Sequence, residues 1–271
     1  MTKKSRWFAG PYVVWMVLFT VIPMIIIIYY AFTDSDGGFT VQNIIALADK
    51  NRLRVFWDSL WQSLVSTIIC LIIGYPVAYY ISRLGSRTQS MLITLIMVPM
   101  CMSFLLRTMA WVVLLEDNGI FYRMFTSMGF QNVKLIRTPA AVILCMVYNY
   151  LPYMILPLYT VMVKIGKPVL EAAGDLGAGK FDTFSRVVLP LSMPGVVSGI
   201  TMVFVPAVST FYISKKLGGT SMMIGDLIEN YFKETPNYHM GAALSLLLML
   251  VVLISIGIMS RAGGKETAVV V

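Results

Sequence analysis

The sequence predicts an all-α, polytopic membrane protein with six transmembrane helices, and three observations carry that prediction. Hydrophobic residues make up 58% of the chain and charged residues only 13%, with a mean hydropathy of +0.79; a soluble domain carries about 25% charged residues. Leu, Ile, Val and Met fall in runs about 20 residues long, enough for a helix rising about 1.5 Å per residue to cross a hydrocarbon layer of roughly 30 Å. The runs lack the strict alternation of barrel strands, which leaves helices to satisfy every backbone amide in lipid.

Six runs qualify, at 8–32, 60–81, 91–115, 140–162, 187–213 and 240–259, and they read as one transmembrane domain over residues 1–271. The first follows Lys3, Lys4 and Arg6, but its length and the lack of a small-x-small cleavage site make it a retained helix and not a signal peptide. Outer loops are expected at 33–58, opened by Asp34, Asp36, Gly37 and Gly38, at 116–139, and at 214–239, where Gly218, Gly219 and the turn Glu234-Thr235-Pro236-Asn237 lie. Inner loops fall at 82–90 and 163–186, and a frayed tail follows Ser260. Pro76, Pro99, Pro152, Pro157 and Pro206 fall inside spans, where each frees a carbonyl and permits a bend.

An even number of spans puts both termini on one side. With that side cytoplasmic, the inner segments hold Lys3, Lys4, Arg6, Arg83, Arg87, Lys164, Lys167, Lys180, Arg186, Arg261 and Lys265 against Glu171, Asp175, Asp182 and Glu266, a net +7 of the chain's +8. Basicity therefore reports topology, and with no basic patch interleaved with aromatics it implies no nucleic-acid partner. Cys70, Cys101 and Cys145 lie in spans as small apolar residues. His239 is the only histidine, which leaves no catalytic dyad, no zinc cluster and no metal or catalytic residue to assign.

The inner loop 163–186 reads as helix, tight turn, helix. Pro168 suits a first helical turn, with Glu171 near that positive end. Gly177 and Gly179 supply left-handed conformation for the turn. Asp182 and Thr183 then open a second short helix with Phe181, Phe184 and Val188 at helical spacing, before Pro190 and Pro194 bend or break the entry to the fifth span. Two exposed Phe rings beside small Ala and Gly positions suit a groove on another protein.

This loop carries Glu171-Ala172-Ala173, three residues, Gly177, nine residues, then Val187-Val188-Leu189-Pro190. The pattern resembles the E-A-A-x3-G-x9-I-x-L-P loop of the permease subunits of ATP-binding-cassette (ABC) importers, departing only at Val187. Average composition makes the fixed residues coincide at on the order of 10⁻⁸ per starting position, which argues against an accidental loop. The resemblance implies the type I permease fold with a cytoplasmic coupling-helix loop, in a multi-pass protein of the bacterial inner membrane. It also implies that Glu171, Ala172, Ala173, Gly177, Leu189 and Pro190 form the element that docks into an ATPase subunit. No G-x-x-x-x-G-K-[ST] stretch is present, so this chain is not itself the P-loop ATPase. ATP and Mg then belong to a partner ATPase pair, and this chain is a non-catalytic subunit with no cofactor of its own.

A narrower resemblance runs over residues 7–260. Gly74-Tyr75-Pro76-Val77-Ala78-Tyr79, Val98-Pro99, Leu151-Pro152-Tyr153-Met154-Ile155-Leu156-Pro157-Leu158-Tyr159 and Leu189-Pro190-Leu191-Ser192-Met193-Pro194-Gly195 look like the PotB-type permeases of spermidine and putrescine importers. That implies a PotC-like second permease, two ATPase subunits and an extracytoplasmic substrate-binding protein. A polyamine passage calls for carboxylates, carbonyls or aromatic faces. Tyr148, Tyr150 and Tyr153 on the fourth span, Phe211 and Tyr212 near the end of the fifth, and Glu116 and Asp117 after the third are the candidates; an interface belt of Tyr and solvated acids is the plainer reading of the same residues. Arg107 is the one charge well inside a span. Snorkelling, pairing with an acid, helix packing and gating are its open roles, since its charge repels a polyamine. Lys215 and Lys216 also oppose a cation-lined mouth. Competing classes are an importer for another small solute, such as an anion or a metal complex, and an ion-driven secondary transporter. The loop argues against the latter, as does the lack of acids inside the spans.

Overall fold

The computed structural model describes residues 10–117, 119–129, 134–219, 221–234 and 237–262. Readings placed on Lys3, Lys4, Arg6, Thr235, Pro236, Lys265 and Glu266 lie outside the described residues. Among the described residues the helices are α1 (Pro11–Ala31), α2 (Gln42–Ala46), α3 (Lys50–Arg83), α4 (Ser86–Met97), α5 (Phe104–Leu115), α6 (Ile120–Ser127), α7 (Pro139–Met162) and α8 (Lys167–Asp175). The remainder are α9 (Lys180–Val208), α10 (Tyr212–Leu217), α11 (Ile224–Lys233) and α12 (Tyr238–Ala262). An isolated bridge between Thr33 and Phe39 is the one extended pairing among them. Among the described residues five helices, α1, α3, α7, α9 and α12, are each long and apolar enough to span a membrane, and the bent pair Ser86–Cys101 and Phe104–Ser127 makes up to six if it forms one span.

The bent pair corrects the expectation of a continuous helix at 91–115. Pro99 sits in a 3-10 turn over Val98–Cys101, Met102 turns extended (φ −82°, ψ 148°), and a new helix starts at Phe104. The arms Ser86–Cys101 and Phe104–Ser127 meet at 86°. Proline offers no N–H and its ring crowds the carbonyl four residues back, so the α pattern does not carry through. α3 begins at Lys50, ten residues before the expected 60, because hydropathy marks only the apolar part of a helix whose first turns carry Lys50, Arg52, Arg54 and Asp58. At the fifth span a bend or a break was expected at Pro190 and Pro194, and the helix is not broken there. α9 runs from Lys180 to Val208 through a π turn at Phe184–Val188. Pro190 has no N–H for the Arg186 carbonyl, and the widened turn lies where that bond is missing. Ile213 consequently belongs to the separate helix α10. The expected loops 116–139 and 214–239 carry α6, α10 and α11.

Two compact units form: residues up to Arg54 with Leu227–Val251, and Val55–Asp226 with residues from Val252 on. In the first, α1 is apolar all round and buries only Ala31, a pattern that is stable against lipid. Ala31 packs on Ala242 and Ala243. Asn43 Nδ2 donates to the carbonyls of Ala31 (3.2 Å) and Thr33 (3.0 Å), satisfying groups left open at the end of α1.

The second unit is built on α7, whose Met146, Met154, Leu158 and Met162 are fully buried. Small residues let α3 and α9 approach it. A Cβ at Gly195 would stand 3.1 Å from both the Pro157 carbonyl and Val161, one at Gly199 would stand 2.7 Å from Met154 Sδ, and one at Gly74 would stand 3.0 Å from Met154 Cγ. Such close approach is how apolar helices associate where lipid removes the hydrophobic drive. Ser66 and Cys70 face the same helix, contacting Met146 Sδ at 3.3 Å and the Val147 carbonyl at 3.8 Å.

Candidate functional site

Two places in the second unit gather the residues the sequence singled out: the α8–α9 turn and a cavity between α5, α7 and α10. α8 begins on extended Gly166 with Pro168 in its first turn; Glu171, expected near the positive end, falls in the second turn. At the C-terminus, Gly177 N–H donates to Gly174 O (2.8 Å) and Ala178 N–H to Ala173 O (3.0 Å), with Gly177 at φ +83°. This is the Schellman pattern, and its left-handed residue favours glycine. Gly179 is different from expectation: it is extended (φ −67°, ψ 168°) and opens α9.

The turn presents Leu176 at 89% and Phe181 at 79% exposure, with Glu171, Ala172 and Gly177 exposed and Ala173 half-buried. Leu189 and Pro190, also exposed, stand beyond the π turn on α9. Phe184 does not join the exposed surface. Its ring lies edge-on to Tyr75 (5.8 Å, 83°) and Tyr79 (6.1 Å, 88°) of α3. Ser192 donates to the Leu189 carbonyl at 2.9 Å, which commits its proton, so the Tyr75 phenol is the donor in their 2.8 Å hydrogen bond. One turn on, Arg83 lies over the Tyr79 ring at 5.0 Å and donates Nη1 to the Ile165 carbonyl at 2.8 Å, just before α8. The end of α3 therefore holds both ends of the loop, through Ile165 and through Phe184. Sequence reasoning missed Tyr75, Tyr79 and Arg83 as functional residues. The available signal was their spacing of four, which puts them on one helix face.

The cavity encloses about 390 Å³ and is lined by Arg107, Asn149, Tyr150, Tyr153, Phe211 and Tyr212 among others. α10 carries Tyr212, whose ring lies 6.4 Å from Phe104 on α5; Tyr150 and Tyr153 on α7 stand 6.4 Å apart. Tyr150 donates to the Pro206 carbonyl at 3.3 Å, a group left open because α9 ends at Val208. Four of the seven residues proposed for a cation path thus meet in one place, and Arg107 stands among them. The other three do not line it: Tyr148 lies edge-on to Trp111 at 5.4 Å, and Glu116 and Asp117 are exposed past the end of α5. Arg107 is 7% exposed, so it does not snorkel, and no Asp or Glu among the described residues lines the cavity with it.

Comparison with known proteins gives a consistent picture. Residues 71–262 match the model of the family described as the binding-protein-dependent transport system inner membrane component. The spermidine/putrescine transport system permease protein PotB of Haemophilus influenzae is 35% identical over 257 residues, covering 92% of this chain and 90% of that protein. Among solved structures, a bacterial ABC transporter involved in import of the acidic polysaccharide alginate superposes with a TM-score of 0.77 at 15% identity, over 96% of each chain. The same kind of transporter bound to its alginate pentasaccharide-loaded periplasmic protein gives 0.75 at 15% identity, over 97% of this chain and 96% of that one. Those two likenesses establish the fold.

Proposed function

This chain belongs to the family of binding-protein-dependent transport system inner membrane components, and on that premise we propose that it forms half of the translocation path of an ATP-driven importer of spermidine or putrescine. It is a permease subunit of an ABC importer and a multi-pass membrane protein. The observation that carries the polyamine assignment is identity of 35% along 92% of the chain with a spermidine/putrescine permease. A single permease domain with both termini cytoplasmic faces a pair of ATPase subunits inside, pairs with a PotC-like permease in the membrane, and receives cargo from an extracytoplasmic binding protein. ATP and Mg act on the ATPases.

Glu171, Ala172, Ala173, Gly177, Leu189 and Pro190 form the coupling element. The exposed Leu176 and Phe181 support this reading, since apolar side chains at a polar membrane surface suit a partner's groove. Motion received there passes into α3 through Phe184 against Tyr75 and Tyr79, and through Arg83 at Ile165. Tyr150, Tyr153, Phe211 and Tyr212 offer ring faces to an ammonium group, each such contact being worth about 0.5 to 2 kcal/mol. Arg107 opposes it: at a separation of about 6 Å and an effective dielectric of about 20, repulsion comes to roughly 3 kcal/mol. Arg107 accordingly acts as a gate and not as a cargo ligand.

ATP hydrolysis by the reconstituted complex, with its binding protein empty or loaded with spermidine, tests the assignment. Stimulation by spermidine or putrescine is expected. Stimulation by another solute alone refutes the polyamine, and transport without any ATPase subunit refutes the importer.

A further inference from the structure

Two buried side chains of opposite hydrogen-bonding sense line the α5–α7–α10 cavity, each with polar atoms that have no partner among the described residues. Arg107 is 7% exposed, and neither its Nε nor its Nη1 has a hydrogen-bond partner among the described residues. Asn149 is 1% exposed. Its Nδ2 donates to the Cys145 carbonyl at 2.9 Å, which fixes which way round the carboxamide sits. Oδ1 then has no partner among the described residues.

A charge taken out of water without a counter-charge is among the least favourable arrangements a membrane protein holds. Water filling the cavity would supply acceptors but leave the charge uncompensated. What fits Arg107 is an anion whose acceptors match its planar fork, and a carboxylate does so with two parallel hydrogen bonds. Asn149 Oδ1 needs the reverse, a donor. The remaining walls are rings and hydroxyls, with Phe104, Ser209 and Thr210 beside the tyrosines. The volume, about 390 Å³, is in the range of small-molecule sites.

We propose that this cavity is a carboxylate-binding site, with the carboxylate on Arg107 and a donor on Asn149 Oδ1, and that filling it makes the ring-lined chamber acceptable to an ammonium group. The second half rests on the polyamine reading; the first does not. The carboxylate comes from a free small anion or from an acidic side chain of another subunit in the assembled complex. Either source cancels the Arg107 field that otherwise keeps a cation off Tyr150, Tyr153, Phe211 and Tyr212.

The assembled permease–ATPase complex tests this in two arms, neither of which involves polyamine transport. In the first, native complex is treated with phenylglyoxal and the adduct at Arg107 is followed by peptide mass, in sodium acetate and in sodium chloride at equal ionic strength. A free carboxylate ligand slows the reaction about fivefold when acetate reaches about four times its dissociation constant. In the second, the Arg107→Lys complex is treated with a water-soluble carbodiimide, which joins the new amine to any carboxylate in contact with it. A cross-linked peptide from another subunit identifies a protein source. Labelling of Arg107 that is rapid and indifferent to acetate, with no cross-link, overturns the proposal. Slow labelling with neither acetate protection nor a cross-link overturns it too, because the cavity is then closed to any ligand. A complex that proves to carry some other cargo still gives one of these readings, so failure here and failure of the polyamine assignment are separable.

Discussion

Replacing Gly177 by Ala isolates one property of the coupling turn, its left-handed backbone. A Cβ at Gly177 meets nothing within 4 Å, so no packing changes, and the whole cost is that of holding a residue with a side chain at φ +83°. That cost is roughly 1–2 kcal/mol. If the Schellman turn must stay formed for α8 and the start of α9 to seat together in an ATPase groove, the seated geometry becomes about 5–30-fold rarer. Gly179 supplies the control two residues away. It is extended at φ −67°, and a Cβ there would touch only Asp182 Oδ2 at 3.8 Å. Gly179→Ala therefore costs the difference between Gly and Ala at an N-cap, about 0.5–1 kcal/mol, and leaves the backbone conformation unstrained. The assay is cargo-stimulated ATP hydrolysis by the reconstituted complex, with subunit stoichiometry checked for each variant. Gly177→Ala is expected to lower the stimulated rate about fivefold or more, and Gly179→Ala to lower it by less. Equal effects of the two alanines, or full stimulation in Gly177→Ala, would refute the claim that the left-handed turn transmits the stroke.

The two Phe residues of the loop separate docking from positioning. Phe181→Ala, at an exposed site, should leave the thermal stability of the permease within about 0.5 kcal/mol yet reduce ATPase recovered on co-purification. Phe184→Ala removes two edge-on ring contacts and should loosen the loop by about 1–3 kcal/mol, seen as faster proteolysis between Lys167 and Arg186 in detergent. Arg83→Gln loses the tie to the Ile165 carbonyl and the contact with Tyr79, which predicts higher basal ATP hydrolysis per cargo molecule transported, with subunit assembly intact. Gly195→Val forces side-chain atoms against the Pro157 carbonyl and Val161 and should destabilise the α7–α9 pair by about 1–3 kcal/mol, measured by thermal unfolding in detergent; adding Val161→Ala should recover part of that loss.

Much of the architecture was legible because it is written in local pattern. Run length and the absence of alternation identify membrane helices, and the loop motif points to the family. Helix ends were less legible. Hydropathy marks where lipid lies and not where the backbone stops being helical, so the first turns of α3, rich in Lys and Arg, read as loop. Pro99 and Pro190 were both expected to allow a bend, and their outcomes differ. Pro99 falls where the chain turns by 86°, whereas Pro190 is accommodated by a π turn at Phe184–Val188, and nothing within a few residues of either distinguishes the two.

The sequence by itself determined that this protein lives in a bilayer, that its spans are helical, and that the loop at 163–186 carries the motif of importer permeases, since those properties follow from composition and from spacing along one chain. Only the tertiary structure decided that Phe181 faces outward while Phe184 turns in to Tyr75 and Tyr79, and that Arg107 shares a cavity with Asn149 and four of the predicted aromatics. The reason is that a side chain's direction depends on which helix packs against it. Some of those neighbours lie more than a hundred residues away in the chain, beyond the reach of any local pattern.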